Sequence, residues 1–369
     1  MNISVFSTNL NFFKPVADAL TKRGHRLSYF KETGDPKEDG YQMGLLMQWG
    51  DAYYVEFCQT PFQEVIDRNK NFQKPLFARM HRIEVYSGMV MDPKFPWDKV
   101  NVLFVSAEHV LDRFILRRAS KSKPKECVIA KTNTVNTDMF KFKERTWHYP
   151  IRLCMVGNFV PKKRQYSLIE TMFDVEVMFP GKFKLDIVGQ RGVWGGYGNP
   201  EYFDNCTDLI EDRKLKDIVT IYEVLPPDKV AEFLYDEHVI ISNSNEEGTH
   251  VSIAEGICTG CLAFVHNWRG ASQVYPPSVA LHFNSDGEFV DLCDQLNTWM
   301  ELGQVKTEVK SRSDEAVKKY GDLSIYDRMA KIIEDTVANE NKIKAEKQIK
   351  TTQSKAETTV QSKSETATK

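Results

Sequence analysis

The chain reads as two successive α/β domains, each a parallel sheet covered by helices on both faces. Three observations predict this. Short apolar runs alternate with helical stretches from the N-terminus onward, the alternation restarts near Trp147-His148-Tyr149-Pro150, and 369 residues exceed what one hydrophobic core normally serves.

The opening Asn2-Ile3-Ser4-Val5-Phe6-Ser7 is a short buried strand, and 13–23 carries apolar residues at helical spacing until Gly24 stops it. A second strand at 26–30 follows directly. Further apolar runs recur at 51–57, 75–80 and 100–106, with helical patterns over 61–69 and 108–118 between them. After the restart, Ile151–Val156 is a strand ending at Gly157, a helix begins near Gln165, and Phe183–Val188 is a strand ending at Gly189. Runs at 218–222, 239–242 and 262–266 continue the series, with helices over 227–235 and 251–259. Helices over 288–302 and 314–339 close the folded part. The expected organisation is therefore a first domain over 1–148, a second over 149–312, a closing helix over 313–340 and a tail over 341–369. Lys, Thr, Ser, Gln and Glu dominate that tail, so ordering it would cost entropy without burying a core, and it is expected to be disordered.

A formal net charge of -2, with 27% charged and 41% hydrophobic residues, is that of an ordinary globular protein, does not suggest a dedicated nucleic-acid binder and leaves any basic surface local. No apolar run reaches the roughly 20 residues a spanning helix needs, and no basic segment with a long apolar core opens the chain, so a cytoplasmic protein is expected. Seven cysteines without framework spacing read as reduced and mostly buried. Cys258 and Cys261 form a C-x-x-C pair, but no second pair or His pair supplies the other ligands zinc would need, and core packing is the expected role.

In an open parallel sheet, ligands bind beyond the carboxyl ends of the strands, so informative residues should follow strands. Residues 240–256, IISNSNEEGTHVSIAEG, run from a strand through a polar loop into a helix. Glu247 stands just before that helix and Glu255 about two turns along it. A diphosphate near the helix start would meet the positive end of the dipole, and a carboxylate within the helix could accept hydrogen bonds from ribose hydroxyls.

These two glutamates, followed by Cys258-Thr259-Gly260-Cys261-Leu262-Ala263-Phe264-Val265, resemble the signature of the GT4-like retaining glycosyltransferases. That resemblance implies the GT-B fold, two Rossmann-like domains facing a cleft, and transfer of a sugar from a nucleoside-diphosphate sugar. His266-Asn267-Trp268-Arg269-Gly270-Ala271 is similar to the family's strand-to-loop step. Residues 156–164, VGNFVPKKR, resemble its first loop of the second domain, where an Arg and a Lys hold the donor phosphates. Lys163 falls at the Lys position, whereas Asn158 occupies the Arg position, with Arg164 and Arg191 as neighbouring cations. Thr249 and His250 also depart from an aromatic residue and a Gly. In the first domain, 78–86 resembles the loop carrying a His close to the transferred sugar, which is His81 here. Residues 103–106 and the linker turn 133–140 match as well, whereas the first loop, 7–11, lacks the paired glycines frequent in relatives.

The resemblance thus implies Glu247, Lys163 and His81 as catalytic residues. Donor binding falls to Glu255, Gly157, Asn158, Arg164, Gly189, Gly248, Thr249, His250 and Val251. No D-x-D occurs, so neither metal nor cofactor is expected. Set against this, glutamates at such spacing often only solvate a helix face, and a lone His after a strand is often structural. Gly192, Gly195, Gly196 and Gly198 lack dinucleotide spacing and read as a loop. Arg113, Arg117, Arg118, Lys121, Lys123 and Lys125 form a basic cluster suited to an anionic membrane or a polyanion, although a solvated helix end is the commoner reading. Two functional alternatives remain open: a non-catalytic nucleotide-sugar-binding protein on a decayed transferase scaffold, and a different enzyme of the same fold, such as a nucleotide-sugar epimerase or a phosphorylase. Sugar, base, acceptor and oligomeric state are not encoded in these motifs.

Overall fold

A computed structural model describes residues 1–7, 10, 12–58, 60–130, 134–191 and 199–366. Thr8, Asn9 and Asn11 of the first loop, Asn133 of the linker turn, and Gly192, Gly195, Gly196 and Gly198 lie outside the described residues. The chain divides into two compact units. The first comprises Met1–Val105, Arg113–Ala130 and Leu323–Lys369; the second comprises Ser106–Asp112 and Lys131–Asp322.

In the first unit, β1 (Asn2–Phe6), α1 (Lys14–Lys22), β2 (Arg26–Tyr29), α2 (Pro36–Trp49), β3 (Ala52–Glu56), α3 (Thr60–Phe72), β4 (Leu76–Met80), α4 (Gly88–Met91), β5 (Val102–Val105), the C-terminal half of α5 (Glu108–Arg117) and β6 (Glu126–Ile129) follow in order. The strands form one parallel sheet ordered β2-β1-β3-β4-β5-β6. Strands β3, β4 and β5 are buried along their whole length, which explains their unbroken apolar runs.

The second unit holds β7 (Ile151–Val156), α6 (Gln165–Met178), β8 (Phe183–Val188), α7 (Pro200–Asp212), β9 (Val219–Tyr222), α8 (Pro227–Tyr235), β10 (Val239–Ser242), α9 (Val251–Thr259), β11 (Leu262–His266), α10 (Ala271–Val274), β12 (Leu281–Phe283), α11 (Asp286–Glu301) and α12 (Val305–Tyr320). Its sheet, also parallel, is ordered β12-β11-β10-β7-β8-β9. The chain moves outward from β7 in one direction and then resumes at β10 in the other. Their junction is the topological switch point, and the crevice beyond the carboxyl ends of β7 and β10 is where such a sheet takes a ligand.

Several elements differ from the sequence expectations. Helices α2 and α7 and strands β6 and β12 have no counterpart there. In α2 only Met43, Leu46 and Met47 are buried, while Tyr41, Leu45 and Trp49 are exposed, so its apolar residues do not form one stripe. Helix α7 did carry start signals: Pro200 stands at its first turn and the Asn199 side chain accepts from the Tyr202 N–H. The helix expected over 314–339 is two, because α12 stops at Tyr320 and α13 (Ser324–Thr366) starts beyond Gly321 and Asp322.

Helix α13 belongs to the first unit. Tyr326, Met329, Ala330, Ile333 and Val337, spaced along one helical face, enter the same buried cluster as Val16 and Leu20 of α1. Full burial contributes roughly 1.5–3 kcal/mol for each of Met329, Ile333 and Val337. Glu334 fixes the register by accepting from Arg23 at 2.5 Å and His25 at 2.7 Å. The helix continues through the compositionally polar segment, where described residues 341–353 are all exposed and add nothing to a core. Val135 and Phe140, placed in the first domain by the sequence, pack in a core cluster of the second unit.

All seven cysteines are free and six are buried, with only Cys127 exposed. Cys258 and Cys261 lie in the second-unit core, as their packing role requires. No helix among the described residues is long and apolar enough to cross a membrane.

Candidate functional site

Both loops expected to carry chemistry lie at the switch point of the second sheet. The loop after β7 brings Gly157, Asn158 and Lys163; the loop after β10 brings Glu247, Gly248, Thr249 and His250, ending at the first residue of α9, Val251. Three contacts join them. The Asn245 N–H donates to the Lys162 carbonyl at 2.9 Å, the Asn243 amide donates to the Arg164 carbonyl at 3.0 Å, and Lys163 Nζ lies 2.6 Å from Glu247 Oε1.

The Lys163–Glu247 pair is largely buried, with side-chain exposures of 13% and 10%. Burial alone would push the Glu247 carboxyl up, but the Lys163 ammonium, reinforced by the Ser244 hydroxyl at 2.8 Å, holds it down at about 2. Backbone geometry completes the clamp. His109 Nε2 donates to the Glu247 carbonyl at 2.9 Å, and the Tyr275 hydroxyl donates to the carbonyls of Thr249 and His250 at 2.5 and 2.9 Å.

His250 caps α9 in the left-handed region, with φ 35°. Burial and the neighbouring Lys163 ammonium lower its pKa to about 4, so the ring is neutral at pH 7. Its Nε2 faces the Val156 carbonyl at 3.4 Å and therefore carries the proton, which leaves Nδ1 to accept from the Ser242 hydroxyl at 2.6 Å. A positive helix end next to a lysine and a fixed carboxylate suits a ligand that combines an anion with hydroxyl groups.

Glu255 lies two turns along α9 and has no hydrogen-bond or ion-pair partner among the described residues, and burial alone raises its pKa to about 7. A ligand hydroxyl would supply the missing contact. Because the folded pKa lies above the ordinary 4.5, the unfolded chain ionises first, and stability falls as pH rises from about 4.5 to about 7. Glu255→Gln removes that cost, worth about 3 kcal/mol at pH 8 and little at pH 4.5. Thermal melts at the two pH values should show the variant more stable only at the higher one, while calorimetry shows it binding nucleotide more weakly.

Close approach requires glycine at position 189 but not at 157. A Cβ on Gly189 would sit 2.3 Å from the Gly157 carbonyl oxygen and 3.1 Å from the Phe159 ring, whereas one on Gly157 would touch the Lys163 side chain at 3.5 Å. Gly189→Ala therefore has to displace the β7 loop. The expected result is a loss of about 1–3 kcal/mol in urea unfolding, with weaker nucleotide binding, and Gly157→Ala should be milder in both measurements.

The remaining sequence candidates are placed differently. Asn158 is exposed, and its carbonyl accepts from the Gln165 side chain at 2.9 Å. Arg164 directs its guanidinium to Ser167 at 3.0 Å and Asp286 at 3.4 Å, and Arg191 pairs with Asp204 at 2.6 Å, so both neighbouring cations already have partners. His81 belongs to the first unit, just beyond β4. Its Nε2 bonds Glu56 at 2.7 Å, Glu56 also pairs with the fully buried Arg79, and the Phe57 ring stacks on the imidazole at 4.3 Å. Burial lowers the His81 pKa below its ordinary value.

Sequence reasoning missed Ser242, Ser244, His109 and Tyr275. The two serines were open to detection, since both stand on the strand-to-helix loop already singled out. His109 and Tyr275 come from elements remote in sequence, and no local pattern marks them. Among the described residues, no group of three or more His, Cys, Asp or Glu side chains is placed to hold a metal ion.

Residues 137–315 match the family described as glycosyl transferases group 1, and this stretch contains both loops of the site. That stretch of the chain is similar to group 1 glycosyl transferases. The fold of the chain is GT-B, with two Rossmann-like units, and known structures share it. Sucrose-phosphate synthase from Thermosynechococcus elongatus is similar at a TM-score of 0.70 and 12% identity, over 92% of this chain and 100% of that one. HepE from Anabaena, in complex with UDP and glucose, is similar at 0.69 and 13%, over 92% and 100%. A trehalose-6-phosphate structure from E. coli, bound with UDP-2-fluoro glucose, is similar at 0.64 and 11%, over 91% and 99%. No curated protein sequence matches the chain.

Proposed function

We propose that the protein transfers a glycosyl group from a nucleoside-diphosphate sugar to an acceptor with retention at the anomeric carbon. The observation that carries this reading is the buried Lys163–Glu247 pair at the start of α9, with the unpartnered Glu255 two turns further on. Lys163 would hold the diphosphate and stabilise the negative charge that grows on it as the glycosidic bond breaks. Glu247, kept ionised, would orient hydroxyls of the sugar, and Glu255 would accept from the ribose. The neutral His250 fixes the turn without adding a charge next to the leaving group. Uridine diphosphate sugars are the first donors to test, because HepE and the E. coli neighbour are in complex with UDP or a UDP sugar. No metal or cofactor enters this reading.

The test incubates the purified protein with a panel of nucleoside-diphosphate sugars and measures nucleotide release, with anomeric configuration read by proton NMR. Release that disappears in Glu247→Ala supports the proposal. Tight nucleotide binding with no release under any acceptor would identify a binding protein instead, and an inverted product would reject retention.

A further inference from the structure

The first unit has a switch point of its own. Its chain runs outward from β1 to β2 and resumes on the other side at β3, so a ligand crevice lies beyond the carboxyl ends of β1 and β3. Phe12 on the loop after β1, Phe57 on the loop after β3 and His81 after β4 meet there. The Phe12 and Phe57 rings lie 5.2 and 4.3 Å from the imidazole. Phe57 adopts a left-handed backbone, φ 65°, which is costly for a bulky side chain and concentrated at functional sites.

Two fully buried charges fix the imidazole. Glu56 Oε1 accepts from Arg79 Nε at 2.9 Å and from His81 Nε2 at 2.7 Å, and Arg79 Nη2 donates to the Phe12 carbonyl at 2.5 Å. A buried ion pair is a poor device for stability, since apolar residues of similar volume often serve as well or better. Orientation is what this pair supplies. The carboxylate accepts from Nε2, so that nitrogen carries the proton. Burial, aided by the Arg79 charge, outweighs the pull of Glu56 and lowers the ring's pKa, so the ring is neutral at pH 7. Glu84 Oε2 accepts from the His81 N–H at 2.6 Å and holds the backbone. Nδ1 is then an acceptor with no partner among the described residues, on a side chain that is 11% exposed. We infer that Glu56 and Arg79 are positioning residues, holding His81 protonated on Nε2 alone so that Nδ1 presents a hydrogen-bond acceptor to a sugar hydroxyl. The 37% exposed Phe12 ring lies alongside for the apolar face of that sugar. The choice of a sugar rests on the proposed transfer.

The experiment reads the imidazole nitrogens of isotope-labelled histidine in the full chain by NMR, with the His81 signals identified by their loss in His81→Gln. At pH 7 the wild-type chain is expected to show Nε2 protonated and Nδ1 unprotonated, and added glucose should shift Nδ1 alone. Glu56→Leu with Arg79→Met replaces the pair by apolar residues, which leaves no uncompensated charge, and should keep the fold while mixing the two tautomers. With a donor that the wild-type chain turns over, the double variant should lower kcat about tenfold, the order of one hydrogen bond to substrate, and leave nucleotide affinity unchanged. A protonated Nδ1 in the wild-type chain, no shift with glucose, or wild-type kcat in the double variant overturns the inference. If the variant unfolds, the wild-type spectra decide. A wild-type chain that turns over no donor sinks the proposed transfer alone, because the nitrogen signals still show whether Nδ1 accepts from a sugar.

Discussion

Lys163→Met is expected to reduce kcat by about 10²–10³-fold, the usual cost of removing one fixed charge from a site where negative charge develops. The same change leaves the Glu247 carboxylate largely buried without its cation, and breaking such a pair costs about 3–5 kcal/mol of stability. The two effects can be separated. Adding Glu247→Gln to Lys163→Met removes the uncompensated charge, so the double variant should recover most of the lost stability in urea unfolding while turnover stays absent. A Lys163→Met protein that keeps wild-type kcat would remove the lysine from the chemistry, and a double variant no more stable than the single one would show that the pair is not coupled.

Glu247→Gln alone should abolish transfer and change how stability depends on pH. The folded carboxyl titrates at about 2, against 4.5 ordinarily. Its stabilising contribution is therefore complete above about pH 4.5 and is lost as pH falls toward 2, for a total of about 3 kcal/mol. The wild-type melting temperature should fall through that acid window more steeply than that of the variant. Parallel curves would mean that the carboxylate is not held by Lys163 in solution. Nucleotide affinity of Glu247→Gln should change far less than turnover, because the proposed function assigns the diphosphate to Lys163 and the α9 terminus, which the variant keeps.

Much of the second unit was legible because its signals are local. The strands Ile151–Val156 and Phe183–Val188 were bounded correctly by Gly157 and Gly189. The reason Gly189 is needed lies in space: it faces a carbonyl oxygen that arrives from a different strand. Helix α9, with Glu255 within it and Glu247 on the polar loop before it, could be placed by periodicity and by that loop. The partnership of Glu247 with Lys163 could not, since 84 positions of chain separate them in the sequence. Arg164 shows the limit most clearly. It stands next to Lys163 in the sequence, yet a left-handed backbone at φ 57° sends its side chain to Asp286.

The sequence by itself determined the two parallel α/β units and the two loops that carry the candidate site, because apolar periodicity and helix-start chemistry act over a few residues. Only the tertiary structure decided the ionisation of the site. Glu247 and Glu255 are the same residue type on one short segment, but the sheet order sets a lysine against the first and leaves the second without a partner. One carboxyl is held near 2 and the other rises to about 7. Charge pairing and burial depend on distances between strands β7 and β10, and those distances exist only once the sheet has formed.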